Sequence, residues 1–184
     1  MWLRFRLLAV AALLASMVVA SPVAGSTSRG GYVNPFADPR WQPSRTDMGV
    51  DWAPTARLPV LAIGDGVILG ADNHSRWPGH HIIWYRLTAG SHAGAVVYVA
   101  EHLKNLAPVG KTVHAGERIA VALPGYPWTE WGWSNAYGSP IAYPCYKDGH
   151  ATGSGRRMAR FLASLGAQLH SAGKGPDGPA GKLC

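Results

Sequence analysis

The sequence predicts a mainly β domain, an antiparallel sandwich or folded sheet closed by one C-terminal helix. Two observations carry this. From about residue 58 the chain runs as short apolar stretches of strand length separated by turn residues. Helical spacing of apolar residues appears at one place, where Met158, Phe161, Leu162 and Leu165 fall on one face of 156–165 and Gly166 supplies a stop.

The elements follow in order. Residues 1–24 have the layout of a secretory signal, with Arg4 and Arg6 at its start, an apolar run over 7–20 and small residues after it. The run is short for a bilayer span, which asks for about twenty apolar residues; an uncleaved anchor is the alternative. Residues 25–44 are rich in Gly, Pro and Ser and read as an irregular lead-in. Strands are expected at 59–63 and 67–70, joined by a hairpin-type turn at Asp65-Gly66. A second pair is expected at 80–87 and 95–102, and a third at 111–113 and 118–122 around the turn 114–117. A short aromatic strand follows at 129–133. The domain thus occupies 45–166, and the Gly/Pro/Lys-rich tail 167–184 reads as loose.

Composition narrows the function classes. The formal charge is +7, of which Arg4 and Arg6 leave with a cleaved signal. A mildly basic exported protein suits an anionic partner such as cell-wall polymer or lipid headgroups. Lys and Arg are scattered along the chain, so nothing points to nucleic acid. The two cysteines, Cys145 and Cys184, allow one disulfide in an oxidising compartment or two free thiols, and their spacing fits no cysteine zinc motif.

Three stretches carry the chemistry. The first is Arg45-Thr46-Asp47-Met48-Gly49-Val50-Asp51 with Leu58-Pro59-Val60-Leu61-Ala62-Ile63-Gly64-Asp65-Gly66-Val67 behind it. The second is Tyr98-Val99-Ala100-Glu101-His102-Leu103, followed by Val109-Gly110-Lys111-Thr112-Val113 and Ala115-Gly116-Glu117-Arg118-Ile119-Ala120. The third is Thr129-Glu130-Trp131-Gly132-Trp133. In order and separation, over about 34–144, they resemble the lysostaphin-type (LytM-like) zinc endopeptidases, which cut peptide cross-links in bacterial cell wall. The resemblance implies a LytM-type β fold and a peptidoglycan or cell-wall peptide as partner.

The same resemblance implies where the chemistry should sit. The family's zinc is held by the His and Asp of H-x-x-x-D and by the second His of H-x-H, positions that read Asp47, Asp51 and Gly132 here. The two histidines that polarise the attacking water fall at Glu130 and His102. Only Asp51 and His102 keep the family's residue types. Glycine offers no donor, and two carboxylates without imidazole make a harder site, better matched to calcium or magnesium than to zinc. The expectation is therefore an exported, catalytically degenerate protein that binds peptidoglycan or a cell-wall partner and needs no cofactor. The alternative is an active metalloendopeptidase in which Asp47, Asp51 and either His102 or Glu130 hold zinc or another divalent cation; a third reading is a structural module.

Strand alternation places Glu130 and Gly132 on one face, with Gly132 leaving room for a ligand, and sends Trp131 and Trp133 to the core. Trp128, in a turn-like segment, is the expected exposed ligand contact. His80 and His81, adjacent in one strand, point to opposite faces and cannot chelate one ion. The plainer reading of the acids is that Asp47 caps a turn and Asp51 satisfies backbone amides.

Overall fold

The computed structural model describes residues 31–126 and 128–169. The expected secretory signal, Cys184 and nearly all of the tail lie outside them. Among the described residues ten strands, β1 (Trp41–Thr46), β2 (Val50–Pro54), β3 (Leu58–Leu61), β4 (Gly66–Asp72), β5 (His81–Leu87), β6 (Val96–Glu101), β7 (Leu103–Lys104), β8 (Thr112–Val113), β9 (Arg118–Ala122) and β10 (Thr129–Ser134), precede one α-helix, α1 (Gly153–Ser164). They form a seven-stranded sheet, β1-β2-β10-β6-β5-β4-β8, and a three-stranded sheet, β3-β9-β7, antiparallel throughout. This is the expected fold class.

One core cluster joins residues of both sheets and of α1, which packs on β10, β2 and β1 of the large sheet. Leu58, Val60, Ile119 and Ala120 of the small sheet join Ile83, Tyr85, Val97, Val99 and Trp131 of the large one. Burying each large side chain contributes roughly 1.5–3 kcal/mol. As the spacing predicts, α1 turns Met158, Phe161 and Leu162 inward. It begins earlier than expected because Thr152 caps it, its side chain accepting a hydrogen bond from Gly155 N.

Three expectations are corrected. Asp65-Gly66 does not join a hairpin: β3 pairs with β9 in the small sheet, whereas Gly66 pairs with Leu87 and Val113 in the large one. The turn instead carries the chain from one sheet to the other. The lead-in is less irregular than 25–44 suggested, since β1 starts at Trp41 and Phe36 stacks on Trp52 with ring centroids 3.8 Å apart. His80 is not in a strand but ends a 3-10 turn, Pro78–His80, in the left-handed region at φ 65°.

Candidate functional site

The register of the large sheet assembles the site. Asp51 of β2 lies opposite Glu130 of β10, which lies opposite Ala100 of β6, so Asp51 and Glu130 share a face. Asp47 reaches them from the tight turn between β1 and β2, where its N–H donates to Gly49 O. Gly49 has to be glycine, because a Cβ there would sit 2.8 Å from Glu130 Oε1 and press on the backbone of β10. The Asp47 carbonyl accepts from both Thr152 N (2.8 Å) and Thr152 Oγ1 (2.9 Å), which fastens this turn to the start of α1. Carboxylate oxygens of Asp47, Asp51 and Glu130 thereby come within 4.8 Å of one another, all three residues buried.

A guanidinium runs through this cluster. Arg45 Nε donates to Asp51 Oδ2 at 2.8 Å, Nη2 lies 3.2 Å from Asp47 Oδ2, and Nη1 lies 3.0 Å from Asp148 Oδ1. Its other face is covered by Trp128, whose ring centroid is 4.1 Å from Cζ and whose Nε1 donates to Ser44 Oγ. Asp51 Oδ1 is buried without a hydrogen-bond partner.

One cation among so many buried acids leaves negative charge uncompensated, which favours the protonated form of the carboxyls and raises their pKa values. Burial, then the charge of Asp47, raises the Asp51 pKa to about 7 against the pull of Arg45. Burial raises Asp47 as well. Burial, then Asp51 and Asp47, lifts Glu130 well above the carboxylate range. For Arg45 burial works against the charge, but the Asp51 hydrogen bond and the charges of Asp47, Asp51 and Asp148 outweigh it and raise its pKa.

The notch at Gly132 is not open to a ligand. Gly132 lies opposite Tyr98, and a Cβ there would fall within 2.6 Å of the Tyr98 Cζ and hydroxyl. The Tyr98 hydroxyl donates to Glu130 Oε1. The vacancy left by the side chain that glycine lacks is thus filled by a fully buried phenol.

His102 and its neighbour exchange places. Glu101 sits at φ 90°, which breaks strand alternation at the end of β6. Its carboxyl lines the same groove as Glu130, and burial, then Asp51, raises its pKa to about 8. His102 instead stacks on Tyr126, with centroids 3.6 Å apart and planes 7° from parallel, and packs against Gly79. Burial, then His81 and His80, lowers its pKa. Asp47, Asp51, Glu130 and Trp128 are therefore brought together, whereas His102 is not part of the acid cluster. Arg45, Glu101 and Tyr98 are site residues whose roles sequence reasoning missed. The available signal for Arg45 was a lone cation two residues before Asp47; for Glu101 there was none.

Above the cluster lies a groove of about 750 Å³. Arg45, Glu101 and Glu130 form part of its floor, and Trp77, Trp84, Trp128, Tyr137, Tyr143 and Tyr146 its walls and rim. Trp131 and Trp133 face the core, as alternation predicts. Cys145, in a 3-10 turn beside the rim, is not a free thiol. Among the described residues no helix is long and apolar enough to cross a membrane.

No protein-family model matches this chain, and no curated protein matches it in sequence. Solved structures do. The antimicrobial peptidase lysostaphin from Staphylococcus simulans superposes with a TM-score of 0.51 at 17% identity, over 84% of this chain and 62% of its own. The solution structure of lysostaphin gives 0.49 at 18% identity, over 76% and 58%. The isolated lysostaphin catalytic domain gives 0.43 at 18% identity, over 57% and 91%. The chain spans about three fifths of the length of the first two structures. The likeness at 0.51 is one of fold, and it agrees with the mainly β, lysostaphin-like architecture.

Proposed function

We propose that this protein is exported, settles in the cell envelope, and binds a peptidoglycan peptide in the aromatic groove without hydrolysing it. The observation that carries this reading is Arg45. Its guanidinium lies between Asp51 and Asp47, the two carboxylates that the lysostaphin-type pattern would present to zinc. A catalytic zinc site needs three protein donors, imidazole or thiolate by preference, and an open position for water. The donors here are carboxylates alone, already engaged by a fixed cation, and the third ligand position is Gly132 beneath Tyr98. Zinc does not fit this set of donors.

Support for binding comes from the groove. Exposed Tyr137 and Tyr143 stand at its rim beside partly buried Trp77, Trp84 and Trp128, a combination suited to peptide backbone and sugar faces. Export rests on the sequence of residues 1–24.

A second reading has one observation of its own. Asp51 Oδ1 is buried and unpartnered, and the three carboxylates are close enough to share a hard divalent cation if Arg45 swings out. Sedimentation with insoluble peptidoglycan, read together with elemental analysis of the chain lacking residues 1–24, separates the two. The proposal expects co-sedimentation unaffected by chelator, sub-stoichiometric metal, and no clearing of a wall suspension. Stoichiometric metal with chelator-sensitive clearing would overturn it.

A further inference from the structure

Two steps along β10 from Gly132 the character of the surface reverses. Arg86, Val96 and Ser134 lie in register across β5, β6 and β10, four residues along β10 from Glu130. Beside them a cleft of about 380 Å³ opens between the β5–β6 loop, the end of β10 and the first turn of α1. It adjoins a second depression of about 320 Å³ along α1, and His92, Trp133 and Arg157 line both. Arg86 and Arg160 complete the cationic wall. No aspartate or glutamate lines either depression, and among the described residues none of the three arginines is paired with a carboxylate. The loop 135–141 contributes to both the acidic groove and this cleft and divides them.

Exposed arginines alone are ordinary solvated surface. What distinguishes this cleft is its polar lining, where the hydroxyls of Ser134 and Ser154 and the indole N–H of Trp133 are buried without a hydrogen-bond partner. Ser134 is 4% exposed, Ser154 1% and Trp133 8%. An unmade buried hydrogen bond is costly, and three such groups among the residues lining one cleft, around the end of β10, call for an acceptor. Ser154 is also the second residue of α1, a helix with no acidic residue in its first turn, so the positive end of its dipole faces the same place.

We infer that this cleft, separate from the aromatic groove, binds a phosphate-type oxyanion. Two guanidinium forks, two hydroxyls and an indole N–H exceed what the two oxygens of a carboxylate can accept, and they suit a tetrahedral group with three or four. The cleft is open along α1, with the rings of His92, Trp133 and Phe161 beside it, so the anion can remain attached to a larger body. Free phosphate and a phosphodiester in a polymer share this chemistry.

The test is an NMR titration of the isotopically labelled chain at constant ionic strength, following the Trp133 indole and Ser154 amide resonances. Inorganic phosphate should shift both saturably, chloride should not, and the indole of Trp128 in the groove, which donates to Ser44 away from the cleft, should stay in place. The double variant Arg86→Gln/Arg157→Gln should weaken phosphate binding by about tenfold or more. Both positions are exposed, so its far-UV spectrum should match the parent; if it does not, Ser154→Ala takes its place with the same expectation. Competition by poly(glycerol phosphate) at lower phosphate equivalents identifies a polymer as the ligand, and absence of competition identifies free phosphate. Shifts that fail to saturate, that chloride reproduces, or that survive the substitutions overturn the inference.

Discussion

Tyr98 lies over Gly132, its ring filling the space where a side chain at that position would stand, and its hydroxyl donates to Glu130. The two positions are partners: a large side chain at 132 and a tyrosine at 98 cannot coexist.

The first prediction follows from that exclusion. Gly132→His, which would restore an imidazole to the sheet, should destabilise the fold by about 3 kcal/mol, because a buried ring has to move and overpacking is costly. Combined with Tyr98→Ala, which vacates the volume, the same histidine should cost far less. A double-mutant cycle on chemical denaturation reads the coupling. Additive losses would mean that the two side chains do not compete.

Arg45 and the acids around it make the second. Arg45→Met removes the cation from a buried carboxylate pair, which should cost about 3 kcal/mol at pH 8, where Asp51 is ionised. At pH 5 the loss should be smaller, since Asp51, with its pKa near 7, already carries a proton. The measurement is urea denaturation of parent and variant at both pH values. An equal loss at the two would show that Arg45 acts through packing on Trp128 and not through charge.

How much of this could be read in the sequence depends on what the pattern encodes. β9 and β10 follow alternation with aromatic or β-branched residues, and their spans were legible to within a residue. β1 was not, because Pro43 and four polar residues mask a strand; it survives at the sheet edge, where a missing N–H costs no ladder bond. The turn at Asp65-Gly66 has hairpin chemistry but joins two sheets, a choice made by long-range pairing that no local motif records. In the site, Asp47, Asp51 and Glu130 were legible through their places in the motifs. Tyr98 as the filler of Gly132 was not, since cross-strand register is needed to bring residues 98 and 132 together. His102 misled for a backbone reason: the positive φ at Glu101 shifts the alternation, so the acid and not the imidazole enters the groove.

The third prediction concerns pH. Glu101 and Asp51 have folded pKa values of about 8 and about 7, above those of the unfolded chain, so the native state binds more protons between roughly pH 4 and 8. Their favourable contribution is complete below pH 4 and is lost as the pH rises through 7 and 8. Thermal stability should therefore fall from pH 5 to pH 8.5. Glu101→Gln should flatten that slope and raise stability at pH 8 by roughly 2 kcal/mol. A melting temperature that rises across this range would contradict the assignment of protons to the cluster.

The fourth prediction separates the groove's rim from its frame. Tyr137 is 88% exposed and Tyr143 64%, so neither contributes packing that folding needs, and their substitution by alanine should change stability by less than about 0.5 kcal/mol. If the groove holds cell-wall peptide or sugar, Tyr137→Ala/Tyr143→Ala should reduce co-sedimentation with peptidoglycan several-fold, because each ring offers a stacking face at little entropic cost. Trp84 provides the contrast. It packs against Gly70 and Gly138 and donates to Ala136 O, so Trp84→Ala should lower both stability and binding. Loss of sedimentation in the rim variant at an unchanged melting temperature places the ligand on the aromatics. Sedimentation that persists in the rim variant would move the wall contact off the groove, and its persistence when the arginine cleft is also neutralised would place that contact in neither site.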